Sequence, residues 1–205
     1  MKRGLLFAGV LLLAACSKSE PPSPLANCPA VDAGLPVDPI LLAFLSRARS
    51  AHHLADDLES GGDLKASAEP LERLVLGPLP HVGSRELGPE VHEVLADTFA
   101  RLADLHSRQG LFERALDDVQ QGLSHAREPN YFRGHLLETE GLVEERHAKA
   151  LEKSDPTAAA AIRKRAIGLL EQAMAVQSGV IERAPTSAPN GETPTSTPTP
   201  AASAR

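Results

Sequence analysis

Apolar residues recur at spacings of three and four along most of the chain between Pro39 and Arg183. The clearest run comprises Val91, Val94, Leu95, Phe99, Leu102 and Leu105. The polar residues toward the other side of this run are Asp97, Arg101, Asp104 and Arg108. Spacings of three and four place apolar side chains on one face of an α-helix. The Ala- and Leu-rich composition of this part of the chain also favours helix. The pattern therefore predicts an all-α domain over residues 38–183.

A second amphipathic run follows the first after only a few residues. Between the two lies Gln109-Gly110, a pair typical of a helix end. The second run comprises Phe112, Ala115, Leu116, Val119, Leu123 and Ala126, and it ends at Glu128-Pro129-Asn130. Two helices joined by so short a turn lie antiparallel, so the two runs predict a helical hairpin.

This hairpin resembles a tetratricopeptide repeat. In that family helix A carries large apolar residues and a small one, a glycine opens the turn, and small residues in helix B sit where the helices cross. The matching residues here are Phe99, Leu102, Ala103, Gly110, Phe112, Ala115 and Gly122. His106 and Val119 depart from the family pattern, since His106 stands where tyrosine is usual, and Pro129 closes the unit slightly late.

Two weaker copies flank the central one, from Ala51 to Pro80 and from Leu136 to Ser178. Together the copies predict about three antiparallel hairpins, and Asp155 or Thr157 could cap the last helix. The spacing is uneven, because a loop rich in Gly and Pro separates the first two copies, whereas regular arrays keep a period near 34 residues. A generic antiparallel helical bundle is therefore the alternative to a repeat array.

The chain begins with a short basic segment and an apolar run from Leu5 to Ala15, the pattern of a secretory signal peptide. The run is too short to span a bilayer, which takes roughly 20 apolar residues. Its end, Leu13-Ala14-Ala15-Cys16, resembles the lipobox of bacterial lipoproteins. The resemblance implies cleavage between Ala15 and Cys16 and attachment of lipid to the Cys16 thiol. The alternative is an ordinary signal peptide, cleaved near Ala15, followed by an incidental cysteine.

If Cys16 carries lipid, two or three acyl chains would hold the mature protein durably on a membrane. In lipoprotein families that are sorted by the residue after the cysteine, an aspartate favours the inner membrane. Ser17 stands there in this chain, so the resemblance implies the outer membrane, facing the periplasm, if the cell has two membranes. Residues 16–37 then form a polar, Pro-rich tether. Cys28 within it has no second thiol to pair with in the same mature chain, which leaves a passive thiol or an intermolecular bridge.

The remaining composition narrows the class of partner. The formal net charge is −6, and loss of Lys2 and Arg3 with a leader makes it more negative. A nucleic-acid binder normally carries a basic patch, so this balance argues against one. Residues 184–205 consist mostly of Pro, Thr, Ser and Ala and are expected to be a disordered tail, serving as a spacer, carrying O-linked glycans or reaching through a polymer layer.

No catalytic or metal-binding motif stands out, and we predict no cofactor. Glu144 and His147 form one Glu-x-x-His pair, whereas di-iron bundles use two such motifs and two further glutamates. We therefore interpret the pair as a solvated helix face. His52 and His53 precede Asp56 and Asp57 by four residues, a spacing that suits ordinary local contacts.

The sequence thus predicts a non-catalytic lipoprotein that binds a protein or peptide partner through helical repeats. The repeat resemblance implies a concave face made by the first helix of each pair. The candidate contact residues on that face are Arg101, Asp104, His106, Arg108 and His135. Two alternatives remain open, a small envelope hydrolase or metal-dependent helical bundle, and a structural spacer between membrane and wall.

Overall fold

The computed structural model describes residues 38–80 and 87–183 of the chain. Within these ranges every regular element is an α-helix, which confirms the predicted all-α class. The helices are α1 (Pro39–Ser60), α2 (Leu64–Val75), α3 (Pro89–Arg108), α4 (Phe112–His125), α5 (Tyr131–Leu151) and α6 (Pro156–Arg183).

The tight turns lie where the sequence predicts them. Gly62 joins α1 to α2 with φ of 85°, and Gly110 joins α3 to α4 with φ of 80°. Positive φ is costly for residues that carry a Cβ, which explains glycine at both turns. The carboxylate of Asp155 accepts a hydrogen bond of 2.9 Å from the Ala158 amide, so Asp155 caps the start of α6.

The six helices form three hairpins, α1–α2, α3–α4 and α5–α6, stacked in chain order. Helix α3 contacts both helices of the first hairpin, and α5 contacts both helices of the second. Among the described residues, no helix of the first hairpin contacts a helix of the third. Each hairpin therefore buries its apolar face on its chain neighbour, the logic of repeat architectures.

The core is aliphatic and lies mainly at the junctions between hairpins. One junction buries Leu71, Leu74, Val91, Leu95, Leu102 and Leu105 between the first and second hairpins. The other buries Ala96, Ala103, Val119, Leu136 and Val143 between the second and third. Small residues let the helices approach closely here. A Cβ built on Gly122 of α4 would lie 2.5 Å from Leu136 Cδ2 of α5.

Several sequence predictions lie outside the described residues. These are the signal peptide of residues 1–15, the lipid site at Cys16, the tether with Cys28, and the tail of residues 184–205. Within the part of the chain that the structure describes, none of the helices is both long and apolar enough to cross a membrane.

Candidate functional site: the groove across α1, α3 and α5

The first helices of the three hairpins, α1, α3 and α5, lie side by side and form one face of the stack. A cavity of about 250 Å³ opens on this face. Its lining consists of His52, Asp97, Ala100, Arg101, Asp104, His135, Thr139 and Leu142. We call this surface the groove. Three of the five predicted contact residues, Arg101, Asp104 and His135, line it directly.

Arg101 joins the first two hairpins. Its guanidinium donates a 2.8 Å hydrogen bond to Asp56 of α1 and a second, shorter one to Glu59. Arg108, further along α3, also donates to Glu59 and lies 3.3 Å from Asp104. The hydrogen bond from Arg108 lowers the pKa of Glu59, and the charge of Arg101 lowers it further. Both predicted arginine contacts therefore already have partners within the chain.

A third arginine, which the sequence analysis missed, extends these pairs to the third hairpin. Arg146 of α5 donates a 2.7 Å hydrogen bond to Asp104 and a 2.8 Å bond to the hydroxyl of Ser107. Asp104 thus lies between Arg108 and Arg146. Alternating charges now run from α1 through α3 to α5 along one edge of the groove. Isolated surface ion pairs contribute little, but such a network holds the spacing of the three helices.

His52 contributes a neutral polar group to the groove. Its Nε2 lies 3.0 Å from the Thr98 hydroxyl, which itself donates to the Val94 carbonyl at 2.7 Å. Since the hydroxyl has only one proton to give, the imidazole is the donor in this pair. Burial lowers the pKa of His52, and the nearby Asp97 carboxylate only partly opposes that effect. The ring is therefore uncharged at neutral pH.

His135 lies at the α5 side of the groove. Its ring stacks on Tyr131, with centroids 6.0 Å apart and planes 12° apart, and its Nδ1 is 3.9 Å from a Glu138 oxygen. Asp97, in contrast, takes part in no hydrogen bond or ion pair among the described residues. The groove therefore combines arginines that are paired with carboxylates of the chain and one carboxylate, Asp97, that has no such partner among the described residues.

The prediction that His106 is a surface contact is wrong. Its side chain is only 2% exposed and lies between hairpins rather than in the groove. Nδ1 is 2.5 Å from an Asp118 oxygen of α4, and Nε2 is 3.3 Å from Glu72 of α2. Carboxylates only accept hydrogen bonds, so a ring N–H of His106 donates in the shorter contact, to Asp118. His106 is therefore a polar link that joins α2, α3 and α4.

The interpretation of Glu144 and His147 as a solvated helix face is also wrong for Glu144. That side chain is only 2% exposed and accepts a 2.7 Å hydrogen bond from Arg165 of α6. Its other oxygen is buried without a hydrogen-bond partner in the described part of the chain. His147 stacks on Phe112, with ring centroids 4.6 Å apart. Among residues 38–80 and 87–183, no group of three or more His, Cys, Asp or Glu is arranged to hold a metal ion.

A second cavity, of about 460 Å³, lies where the start of α3 meets the end of α4 and the start of α5. His92 and His125 border it, with their Nδ1 atoms 3.0 Å apart. His125 also stacks on Phe99, with centroids 5.9 Å apart. Burial lowers the pKa of His125, and His92 lowers it further. The contact between the two rings joins α3 to α4.

Comparison with protein families, with curated proteins and with solved structures gave no match to this chain.

Proposed function

We propose that this chain is the precursor of a bacterial envelope lipoprotein that acts as a non-catalytic interaction adaptor. In this proposal lipid on Cys16 anchors the mature protein, in the outer membrane facing the periplasm. The three hairpins then hold a segment of a partner protein in the groove. The observation that carries the proposal is the groove itself, to which α1, α3 and α5 all contribute and whose edge is fixed by ion pairs.

The charges of the groove indicate which chemistry suits the partner. Arg101, Arg108 and Arg146 are each paired with carboxylates of the chain. They therefore have little positive charge to offer an acidic ligand. Asp97 has no hydrogen-bond or ion-pair partner within residues 38–80 and 87–183, and His52 beside it, whose pKa burial lowers, carries no charge at pH 7. We therefore expect a partner segment that presents a Lys or Arg side chain to Asp97, because such a pair forms without breaking the network.

Preorganisation supports binding at this surface. A groove whose walls are already held in place loses little conformational entropy when a ligand binds, and this small loss makes binding tighter. Ala100 and Leu142 give the floor an apolar area, while Thr139 and His52 supply neutral polar groups. This combination of a few polar groups on an apolar floor is typical of binding clefts.

The binding claim is tested by replacing the free carboxylate. Asp97→Arg and the full chain with native sequence are used as baits in detergent-solubilised envelopes, with Lys65→Glu as a matched charge change on α2, away from the groove. We expect native protein and Lys65→Glu to retain the same partner and Asp97→Arg to lose it at least tenfold. Equal retention by all three proteins would show that the groove is not the binding surface.

The lipid claim has a separate test. Residues Leu13 to Cys16 support it only through their resemblance to a lipobox. Cells expressing the native chain or Cys16→Ser are labelled with radioactive palmitate. We expect label and a shortened chain for the native protein, and an unlabelled, unprocessed precursor for Cys16→Ser. Continued labelling of Cys16→Ser would refute lipid attachment at that residue, whatever the result for the groove.

A further inference from the structure

Helix α6 ends the stack, and among the described elements it contacts only α5. Three large apolar side chains are exposed on it: Ile167 at 54%, Met174 at 66% and Ile181 at 74%. They are spaced by seven residues, so they form one stripe along the helix. Stacked hairpin proteins normally end in a polar outer face. The exposed stripe is therefore a surface that another element would stabilise by covering it.

Beside the stripe the helix surface has room for side chains from another helix. A Cβ added at Gly168 or at Gly179 would meet no atom within 4 Å. Ala175 lies between these glycines on the same side of α6 and is exposed. The three small residues thus run next to the apolar stripe, and a facing helix can insert large side chains over them.

The charged residues of α6 differ in whether the chain already pairs them. Arg163 pairs with Glu152 at 3.2 Å, and Arg165 pairs with Glu144 at 2.5 Å, so both serve contacts within the chain. Lys164 and Glu182 are exposed near opposite ends of the stripe and take part in no ion pair among the described residues. A partner that covers the stripe must therefore present an acidic group near Lys164 and a basic group near Glu182.

The segment that follows α6 in the chain does not meet these requirements. Residues 184–205 contain no Val, Ile, Leu, Met, Phe, Tyr or Trp, and their only charged residues are Glu192 and Arg205. The segment therefore lacks the apolar side chains that would cover the stripe.

A second α6, in contrast, meets the requirements when it lies antiparallel. One register sets Lys164 opposite Glu182 of the second copy, and by symmetry Glu182 opposite the second Lys164. The same register brings the two apolar stripes to the same side of the contact, where Ile167 lies only two residues along the axis from Ile181 of the second copy. A single register therefore pairs the opposite charges and brings the two stripes together.

The middle of this register also brings compatible residues together. Met174 lies only two residues along the axis from Met174 of the second copy and on the same side of the contact, so the two exposed side chains can pack together. Glu171, an exposed carboxylate, faces Ala175 rather than the second Glu171. Arg163 and Arg183 do lie at the same level at the ends of the contact, but Arg163 pairs with Glu152 and Arg183 donates to the Pro129 carbonyl, both within the same chain.

We propose that the exposed face of α6 docks a second copy of this chain, antiparallel and related by a twofold axis. Such an interface is isologous, so each charge pair occurs twice and the assembly closes at two copies. Residues 164–182 span about 27 Å of helix. A contact of that length is small beside the roughly 800 Å² per partner of a standard interface, so we expect the dimer to dissociate on dilution. No residue of this face lines the groove, and the inference does not rest on the proposed function.

Sedimentation equilibrium of the full chain in density-matched detergent tests the proposal. We expect a species of twice the chain mass that dissociates on dilution. Ile167→Glu should weaken the dimer at least tenfold, because it places a charge in the apolar stripe. Lys164→Glu should weaken it several-fold, and Lys164→Glu combined with Glu182→Lys should restore it. Lys65→Glu, at the other end of the stack, should leave it unchanged.

Three results would overturn the proposal. The first is a monomer at every concentration tested. The second is a dimer that Ile167→Glu leaves intact, which would place the interface elsewhere. The third is a series of ever larger species, which would indicate head-to-tail contacts that do not close. Circular dichroism of each variant checks that its helices remain folded. A dimer lost in Lys164→Glu and not regained in the double variant would refute the antiparallel register.

Discussion

Gly122 sits where α4 crosses α5, and adding one methyl group there tests the packing of the second hairpin on the third. The new Cβ of Gly122→Ala would lie 2.5 Å from Leu136 Cδ2 and 3.2 Å from the Cβ of Phe99. Leu136 is fully buried and cannot turn toward solvent. Overpacking of this kind costs about 1–3 kcal/mol. Alanine also gains about 1 kcal/mol over glycine in a helix, so we expect a net loss near 1 kcal/mol.

Gly168→Ala is the matched control, because it makes the same chemical change inside a helix. A Cβ at Gly168 meets no atom within 4 Å. Only the helix-propensity gain applies there, so we expect stabilisation by about 1 kcal/mol. Urea unfolding of dilute protein, followed by far-ultraviolet circular dichroism, measures both free energies of unfolding. The two variants should move in opposite directions and differ by about 2 kcal/mol.

A third variant locates the cause of the expected loss. Trimming one methyl group in Gly122→Ala/Leu136→Val should recover part of the stability that Gly122→Ala loses. Stabilisation of Gly122→Ala to the same extent as Gly168→Ala would refute the reasoning. Such a result would mean that α4 and α5 do not approach each other closely at this glycine.

Three further predictions concern polar groups. His106→Ala removes the ring that lies between Asp118 and Glu72 and leaves a cavity. We therefore expect the free energy of unfolding to fall by about 3 kcal/mol or more. A fall of less than about 1 kcal/mol would contradict this role. Burial lowers the pKa of His52 and of His125 below their ordinary 6.5, so the unfolded chain binds more protons and the fold loses stability as pH falls below about 6.5. The free energy of unfolding, measured at several pH values, should therefore fall toward low pH, and it should fall less in the double variant His52→Gln/His125→Gln. The same fall in the native chain and in the double variant would contradict this prediction. Burial and the neighbouring Glu144 raise the pKa of Glu140, which disfavours its ionised form in the fold. Thermal unfolding should therefore show a higher melting temperature for Glu140→Gln than for the native chain at neutral pH, and no such difference at low pH. A lower melting temperature for Glu140→Gln at neutral pH would contradict the raised pKa.

Local features of the fold could be predicted from the sequence because their causes are local. Gly62 and Gly110 mark the turns since few other residues tolerate the positive φ that a tight turn requires. Asp155 is recognisable as a cap because its carboxylate reaches an amide only three residues away. The spacing of apolar residues predicts the helices themselves, since it reflects the geometry of a single helix.

Polar contacts between hairpins could not be predicted in the same way. His106 lies four residues after Leu102, on the apolar side of α3, so the periodicity itself favours burial and the surface prediction overlooked it. What could not be predicted is that Glu72 and Asp118 come to it from α2 and α4. Arg146 reaches Asp104 from 42 residues away in the chain. Such pairs depend on how the hairpins stack, and the spacing of apolar residues within one helix does not predict that stacking. The residues of the groove were thus partly predicted, and their partners were not.

The central claim, that the groove holds a partner while Cys16 holds the membrane, is tested most directly by site-specific photo-crosslinking in cells. A photoreactive amino acid replaces Thr139 in the groove or Lys65 outside it, each with native Cys16 or with Cys16→Ser. We predict one discrete adduct from position 139, lost with Cys16→Ser and absent from position 65. The same adducts from both positions, or none from position 139 while the lipidated protein is folded, would contradict the account.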